Sequence, residues 1–302
     1  MKTRRLHYFV TVVDSGTITN AAEILHIAQP ALSQQIASLE NEFKQKLLVR
    51  SRKGVEMTSA GRTLYRYAQG ILHLEQSARD DIASELSSPS GSVTVAVAPY
   101  TQFSMLMIPA VHAIRSQYPN VIVRTVETLS VVHSQAIRLG QIDAALIYDP
   151  GLVRGVHFDR IRTDDLYLVT PSDMSIPNAS DKKVPLESLA SLEFIMPRQE
   201  HTLRRRLDSA LFEIGAELRV AVEIEHTYPL SDAVEAGLGA TALPRTAAEE
   251  LFGKDKDWAT VRRIVEPVLP VTLSLATSED QPISRAAEVV IEVLRELTIP
   301  DL

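Results

Sequence analysis

The 302-residue chain contains no cysteine. That excludes disulfides, thiolate metal ligands and a cysteine nucleophile. No run of about 18 apolar residues occurs, so no membrane-spanning helix is predicted and no membrane partner is expected. The opening Met1-Lys2-Thr3-Arg4-Arg5-Leu6 is not followed by the apolar stretch and small-residue cleavage site of a secretory signal, which predicts a cytoplasmic location. Catalytic signatures are missing too. There is no phosphate-loop motif and no Gly-x-Ser-x-Gly elbow, and Gly237-Leu238-Gly239-Ala240 is too short for a dinucleotide fingerprint. His133, His157, His201 and His226 lack metal-ligand spacing. The expectation is a protein without enzymatic activity, cofactor or metal. No internal repeat or low-complexity tract stands out.

What is present is an ordinary globular composition, 45% hydrophobic and 23% charged. The length suits two or three compact units. Charge is unevenly distributed: residues 1–66 carry a net +5, whereas residues 67–302 carry −12. A basic head on an acidic body suits a nucleic-acid-binding module attached to something else.

The pattern of the head is helical. Leu6, Phe9, Val10 and Val13 recur at helical spacing over residues 2–14, and Ser15-Gly16 ends that helix. Thr17 or Thr19 can cap a short second helix carrying Ala21, Ala22, Ile24 and Leu25. After the tight connection His26-Ile27-Ala28, a third helix begins near Gln29-Pro30, where proline is tolerated in the first turn. It turns Leu32, Ile36 and Leu39 inward and Ser33, Gln34, Gln35 and Ser38 outward. Two short apolar pieces, 47–49 and 55–57, flank Arg50-Ser51-Arg52-Lys53-Gly54 and read as a two-strand wing with a basic tip.

Helix, short helix, turn and helix in that order match helix-turn-helix geometry, in which the second helix of the motif enters the major groove of double-stranded DNA. Gln29, Gln34 and Gln35 can each pair with adenine, and Ser33 and Ser38 can bond to bases or phosphate. Pro30 sits at the same helix start. Arg50, Arg52 and Lys53 suit phosphate or minor-groove contacts. A long helix then runs to about Leu86. Its stripe of Leu64, Ala68, Ile71, Ala78, Ile82 and Leu86, broken by Glu75, needs a partner, and the simplest is a second copy of the helix in a dimer. Ser87-Ser88-Pro89-Ser90-Gly91 reads as a linker. Beyond it strands and helices alternate, with strands expected at 93–98, 121–126, 144–148, 166–170, 193–196, 220–224, 240–243 and 271–276. This is an α/β open-sheet pattern.

Residues 1–65 resemble the winged-helix domain of the LysR-type transcriptional regulators. The resemblance rests on Leu6-x-x-Phe9, Gly16, Thr19-x-Ala21-Ala22, Leu25, Gln29-Pro30-Ala31-Leu32-Ser33, Ile36, Leu39-Glu40, Leu47, Arg50, Thr58 and Gly61. The run from His26 to Gln35 is most similar to the nitrogen assimilation control subgroup. Two positions depart from the family pattern: Ala28 stands where a capping Ser or Thr is common, and Val49 where Phe is common. The resemblance implies a winged helix-turn-helix over 1–58, a dimerisation helix over 59–86, a hinge at 87–91 and a regulatory domain over 92–302. That domain would fold like a periplasmic binding protein, with two Rossmann-like subdomains (92–163 with 267–302, and 164–266). It would bind a small anionic or polar effector between them. Candidate contacts at strand ends are Tyr100, Thr101, Gln102, Ser104, Thr128, Ser130, Arg198, His201 and Thr202. The implied assembly is a dimer, or a tetramer of paired dimers, with RNA polymerase as a further partner. A solute-binding protein of a transport system is the alternative reading; it accounts for residues 92–302 and leaves 1–86 unexplained.

Overall fold

The computed structural model describes residues 2–51, 54–84, 88–127, 129–148, 151–253 and 257–298. The chain divides into two compact units, Met1–Ser87 with Leu139–Gln141, and Ser88–Arg138 with Ile142–Leu302.

In the first unit, α1 (Thr3–Ser15) buries Leu6, Tyr8, Phe9 and Val12. It stops at Gly16, whose φ of 72° places it in the left-handed region. Thr17 opens α2 (Ile18–Ile24), its hydroxyl accepting the Asn20 N–H at 3.1 Å. Helix α3 (Gln29–Phe43) has Pro30 in its first turn and buries Leu32, Ile36 and Leu39. These apolar faces share one core, which the start of α4 (Ser59–Ala83) closes with Leu64 and Tyr65. Between α3 and α4 lies the wing, β1 (Leu48–Ser51) antiparallel to β2 (Gly54–Met57). Two close approaches set the wing. A Cβ on Gly61 would lie 2.0 Å from the Leu47 carbonyl oxygen, so only glycine lets α4 start there. Val55 N–H donates to the Gly16 carbonyl at 2.9 Å, tying β2 to the α1–α2 turn. Farther along α4, Tyr67, Ala78 and Ile82 are exposed; Leu86 lies outside the described residues.

The second unit begins β3 (Gly91–Val97), α5 (Gln102–Gln117), β4 (Val121–Glu127), α6 (Ser130–Arg138), β5 (Ala144–Tyr148). Its three strands are parallel in the order β4-β3-β5, and every residue of β5 is buried. There follow β6 (Val156–Pro171), β7 (Lys183–Pro185), a 3₁₀ turn, β8 (Glu193–Met196), α7 (Thr202–Glu213) and β9 (Arg219–Glu223). The chain ends with α8 (Tyr228–Glu235), β10 (Thr241–Pro244), α9 (Arg245–Phe252), β11 (Ala259–Val265), β12 (Pro270–Ser278) and α10 (Arg285–Thr298).

The sheet order is β4-β3-β5-β12-β6-β11-β7, with β10 also pairing β6. Strand β6 belongs to two sheet halves: its first ten residues pair with β12, and its last six with β10 and β11. At the change of partner, Asp164 Oδ2 accepts both the N–H and the hydroxyl of Thr246 at 2.9 Å, at the start of α9. The chain returns to the first half through β11 and β12. Strands β8 and β9 pair in parallel, and a bridge between Phe194 and Ala240 connects β8 to the end of β10.

The sequence reading placed only 166–170 of β6 and neither β7 nor β11. The missed pieces carry Asp159, Arg160, Arg162, Asp164, Arg262 and Arg263, charged residues to which the pattern assigned no strand, although the resemblance put Asp164 and Arg263 near the crossing between subdomains. Several are held in pairs instead: Arg263 with Asp165 at 2.5 Å and Arg295 with Asp159 at 2.9 Å.

Candidate nucleic-acid interface and sensor site

On α3, one turn of helix separates Gln29 from Ser33, and the Gln29 amide lies 3.5 Å from the Ser33 hydroxyl. Ala28, the N-cap, makes no side-chain cap. Gln29, Pro30 and Gln34 are exposed, and Ser33, Gln35 and Ser38 half-buried. The polar face thus lies opposite Leu32, Ile36 and Leu39, as an amphipathic helix requires. Gln35 is less free than its neighbours. Its amide oxygen accepts from Arg5 Nε at 3.3 Å, and Arg5 also pairs with Glu42. Arg50 is exposed on β1; Arg52 and Lys53 lie outside the described residues.

Sequence reasoning missed a basic patch beside α3. Lys2, Arg4 and Arg5 line a concave space of about 440 Å³ together with Tyr8, Ala31 and Gln35. Arg4 Nε donates to the Tyr8 hydroxyl at 2.7 Å, and its guanidinium stacks 5.5 Å from that ring. Cations in the first turn of a helix oppose its macrodipole; here Glu42 offsets Arg5, and the Tyr8 hydroxyl and ring hold Arg4.

In the second unit, the ends of β3, β4 and β5 meet the starts of α7 and α8. Tyr100 is buried there with φ 61°, unusual for a residue with a side chain. Three hydrogen bonds hold it. Its N–H donates to Thr227 Oγ1 at 2.9 Å, its carbonyl accepts from the Tyr148 hydroxyl at 2.6 Å, and its own hydroxyl donates to the Ile224 carbonyl. Thr227 in turn reaches Glu127 at 3.2 Å. The His201 ring stands edge-on to both tyrosines, at 5.6 and 6.4 Å between centroids. His201 is 1% exposed and caps α7, its Nδ1 accepting the Leu203 N–H at 3.2 Å. The proton therefore resides on Nε2, which finds no hydrogen bond of ordinary geometry. Burial pushes its pKa down to about 4, against weaker opposing pulls from the Pro99 carbonyl and Glu225. Burial likewise pushes the Tyr100 and Tyr148 phenols up, with Glu225 and Glu127 adding to the first and Asp164 to the second.

Of the other sequence candidates, Thr101 is buried and donates to the Ala98 carbonyl at 2.9 Å. Ser130 is buried at the start of α6, and its hydroxyl has no partner among the described residues. Thr202 is half-buried at the start of α7. Arg198 is exposed, and its N–H and Nε both bind Glu225, at 3.0 and 2.9 Å. Thr128 and the side chains of Gln102 and Ser104 lie outside the described residues. Tyr148, Thr227 and Glu127 were not anticipated. Thr227 stands at the N-cap of α8, and its hydroxyl, instead of capping that helix, takes the Tyr100 N–H. Among the described residues, no group of three potential metal ligands occurs and no helix is long and apolar enough to cross a membrane.

Comparison with known proteins agrees with this layout. Residues 3–62 match the family of bacterial regulatory helix-turn-helix proteins of the lysR family, and residues 87–298 match the LysR substrate binding domain. The chain is 36% identical to the nitrogen assimilation regulatory protein nac of Klebsiella aerogenes, over 98% of this chain and 95% of that one. Its fold is similar to a full-length OxyR variant from Pseudomonas aeruginosa, with a TM-score of 0.73 at 23% identity over 99% and 94% of the two chains. It is also similar to full-length CbnR complexed with its target DNA, with a TM-score of 0.69 at 21% identity over 98% and 99%. A transport solute-binding protein accounts for none of the first 62 residues, and that reading falls. The chain belongs to the LysR family of bacterial transcriptional regulators.

Proposed function

We propose that the protein reads a specific, partly palindromic DNA site in the cytoplasm as a dimer or a pair of dimers. Helix α3 enters the major groove with Gln29, Pro30, Ser33, Gln34 and Ser38 toward base edges, Gln35 being partly committed to Arg5. Arg50, Arg52 and Lys53 of the wing, with Lys2 and Arg4 beside α3, bind phosphates. The observation that carries this reading is the polar outward face of α3, rigidly backed by Leu32, Ile36 and Leu39. The exposed Tyr67 and Ile82 of α4 favour self-association through that helix. DNA bound this way places the regulator beside RNA polymerase at a promoter.

The same proposal divides the sensor half where β6 changes partners, with 92–163 and 267–302 as one subdomain and 164–266 as the other. A polar effector would bind at the strand ends beside Tyr100, Thr101, Ser130, His201 and Thr202, with Gln102, Ser104 and Thr128 on the neighbouring segments. The Ser130 hydroxyl, a buried polar atom without a partner among the described residues, supports that location. Arg198 is a poor anchor for an anion, because Glu225 already neutralises it.

The test is a pair of substitutions titrated across salt concentration. Gln34→Ala should weaken specific binding more than non-specific binding, by about 1–3 kcal/mol of discrimination. Arg50→Ala should weaken both and lower the salt slope by about one unit. Equal loss of specificity in the two variants would show that the reading helix and the wing are misassigned.

A further inference from the structure

The reading helix and the wing must present their contacts in one fixed geometry, because base edges and flanking phosphates are engaged together. The structure contains a device for this in Glu40. It stands on α3, three turns beyond the polar residues at the helix start, and only 7% of it is exposed. Its Oε1 accepts the N–H groups of Leu47 and Leu48 at 3.0 and 3.3 Å, and its Oε2 takes the Lys46 ammonium at 2.7 Å. Leu48 is the first residue of β1, so a side chain of the reading helix holds the root of the wing directly. The opposite side of that root is also fixed: the Thr58 hydroxyl lies 2.6 Å from the Lys46 carbonyl and 3.2 Å from that of Leu47. Burial alone would raise the Glu40 pKa, but Lys46 and the two backbone N–H groups outweigh it and hold the carboxyl below its ordinary value. The group is therefore a carboxylate at neutral pH.

A buried charge is a poor choice for stability alone, since apolar packing of similar volume often does as well or better. Its advantage is direction. A carboxylate accepting two adjacent N–H groups permits one position of the strand that follows, and Val49, Arg50 and Ser51, all exposed, take their places from it.

We propose that Glu40 is a positioning residue for DNA recognition, setting the wing and its basic side chains at a fixed angle to the reading helix. The inference rests on the assignment of α3 as reader and the wing as phosphate contact. In Glu40→Gln the amide oxygen can still accept both N–H groups, but those bonds lose their charge, and the amide NH2 replaces the Oε2 acceptor and stands donor to donor against the Lys46 ammonium. The wing then loses its fixed seat while the α1–α3 core stays intact.

The experiment is hydroxyl-radical footprinting of full-length wild type, Glu40→Gln and Gln34→Ala on a selected DNA site, with the salt dependence of affinity measured on the same proteins. Circular dichroism at the working temperature confirms the folded fraction of each. The expected result for Glu40→Gln is loss of protection at the outer, wing-side sugars with the central protection kept, and a salt slope lower by one to three units per protomer. Adding Arg50→Ala to Glu40→Gln should then lower the slope by less than Arg50→Ala does alone. A merely structural glutamate would change apparent affinity through the folded fraction and leave both footprint and slope as in wild type, and that result overturns the proposal. The underlying assignment fails separately: wild type would show no wing-side protection, or Gln34→Ala would leave the central protection and the specificity untouched.

Discussion

His201 makes the sensor half acid-sensitive, by an amount that follows from its surroundings. At pH 7.5 the ring is neutral whether the chain is folded or not. Unfolded, it gains a proton near its ordinary value of 6.5; folded, only near about 4. Protonation would charge a ring that is 1% exposed and displace the Leu203 N–H from Nδ1. Between the two values the unfolded chain binds more protons, so this contribution is complete above about pH 6.5 and is lost as pH falls toward about 4. At pH 5 the loss relative to pH 7.5 is about 2 kcal/mol. With a urea dependence of about 2 kcal/mol per molar, the midpoint moves by about 1 M. Trp258, the single tryptophan, lies in this unit with its ring edge-on to Phe252 at 5.9 Å, so its fluorescence reports the relevant transition. The control is His201→Asn, whose side-chain oxygen can still cap α7 but does not titrate. Wild type should lose about 2 kcal/mol more than this variant between pH 7.5 and 5. Equal losses would refute the buried, neutral, capping histidine.

Two further outcomes follow from close contacts. Gly61→Ala places a carbon against the Leu47 carbonyl, and the displaced wing root should cost the DNA-binding unit about 1–3 kcal/mol, read by far-ultraviolet circular dichroism during urea unfolding. An unchanged midpoint would mean that α4 and the wing do not approach in this way. Thr227→Val removes the acceptor of the buried Tyr100 N–H and should cost about 1–3 kcal/mol by Trp258 fluorescence, whereas Thr227→Ser should stay within about 0.5 kcal/mol of wild type. Equal effects of Val and Ser would remove the hydrogen bond from the explanation.

The head of the molecule was legible because its signals are local. Leu32, Ile36 and Leu39 mark the buried face of α3 within eight residues, Gly16 stops α1, and Pro30 starts α3. Even so, the buried face of α1 comprises Leu6, Tyr8, Phe9 and Val12, one position away from the expected Val10 and Val13, which are half-buried. Strand β5 could be read as a short apolar run, but β6 could not. Its first ten residues mix apolar with charged side chains, and Asp165 and Asp159 find their partners on β11 and α10, 98 and 136 residues away. The sensor site is harder still. Tyr100, Tyr148, His201 and Thr227 meet only because the strand ends converge on the starts of α7 and α8, and no spacing in the chain encodes that. Glu40 stands out in the sequence only as part of the Leu39-Glu40 pair that carries the family resemblance; what it does becomes visible once the wing folds back onto it.

The most direct test of the central claim is selection of bound fragments from genomic DNA by the purified wild-type protein and Gln34→Ala, at near-physiological salt. The account predicts a partly palindromic motif for wild type, with half-site centres about one helical turn or a multiple of it apart. At the positions that Gln34 reads, the variant's motif should be degraded. Recovery of no motif by wild type, or of the same motif by both proteins, would contradict α3 as the sequence reader.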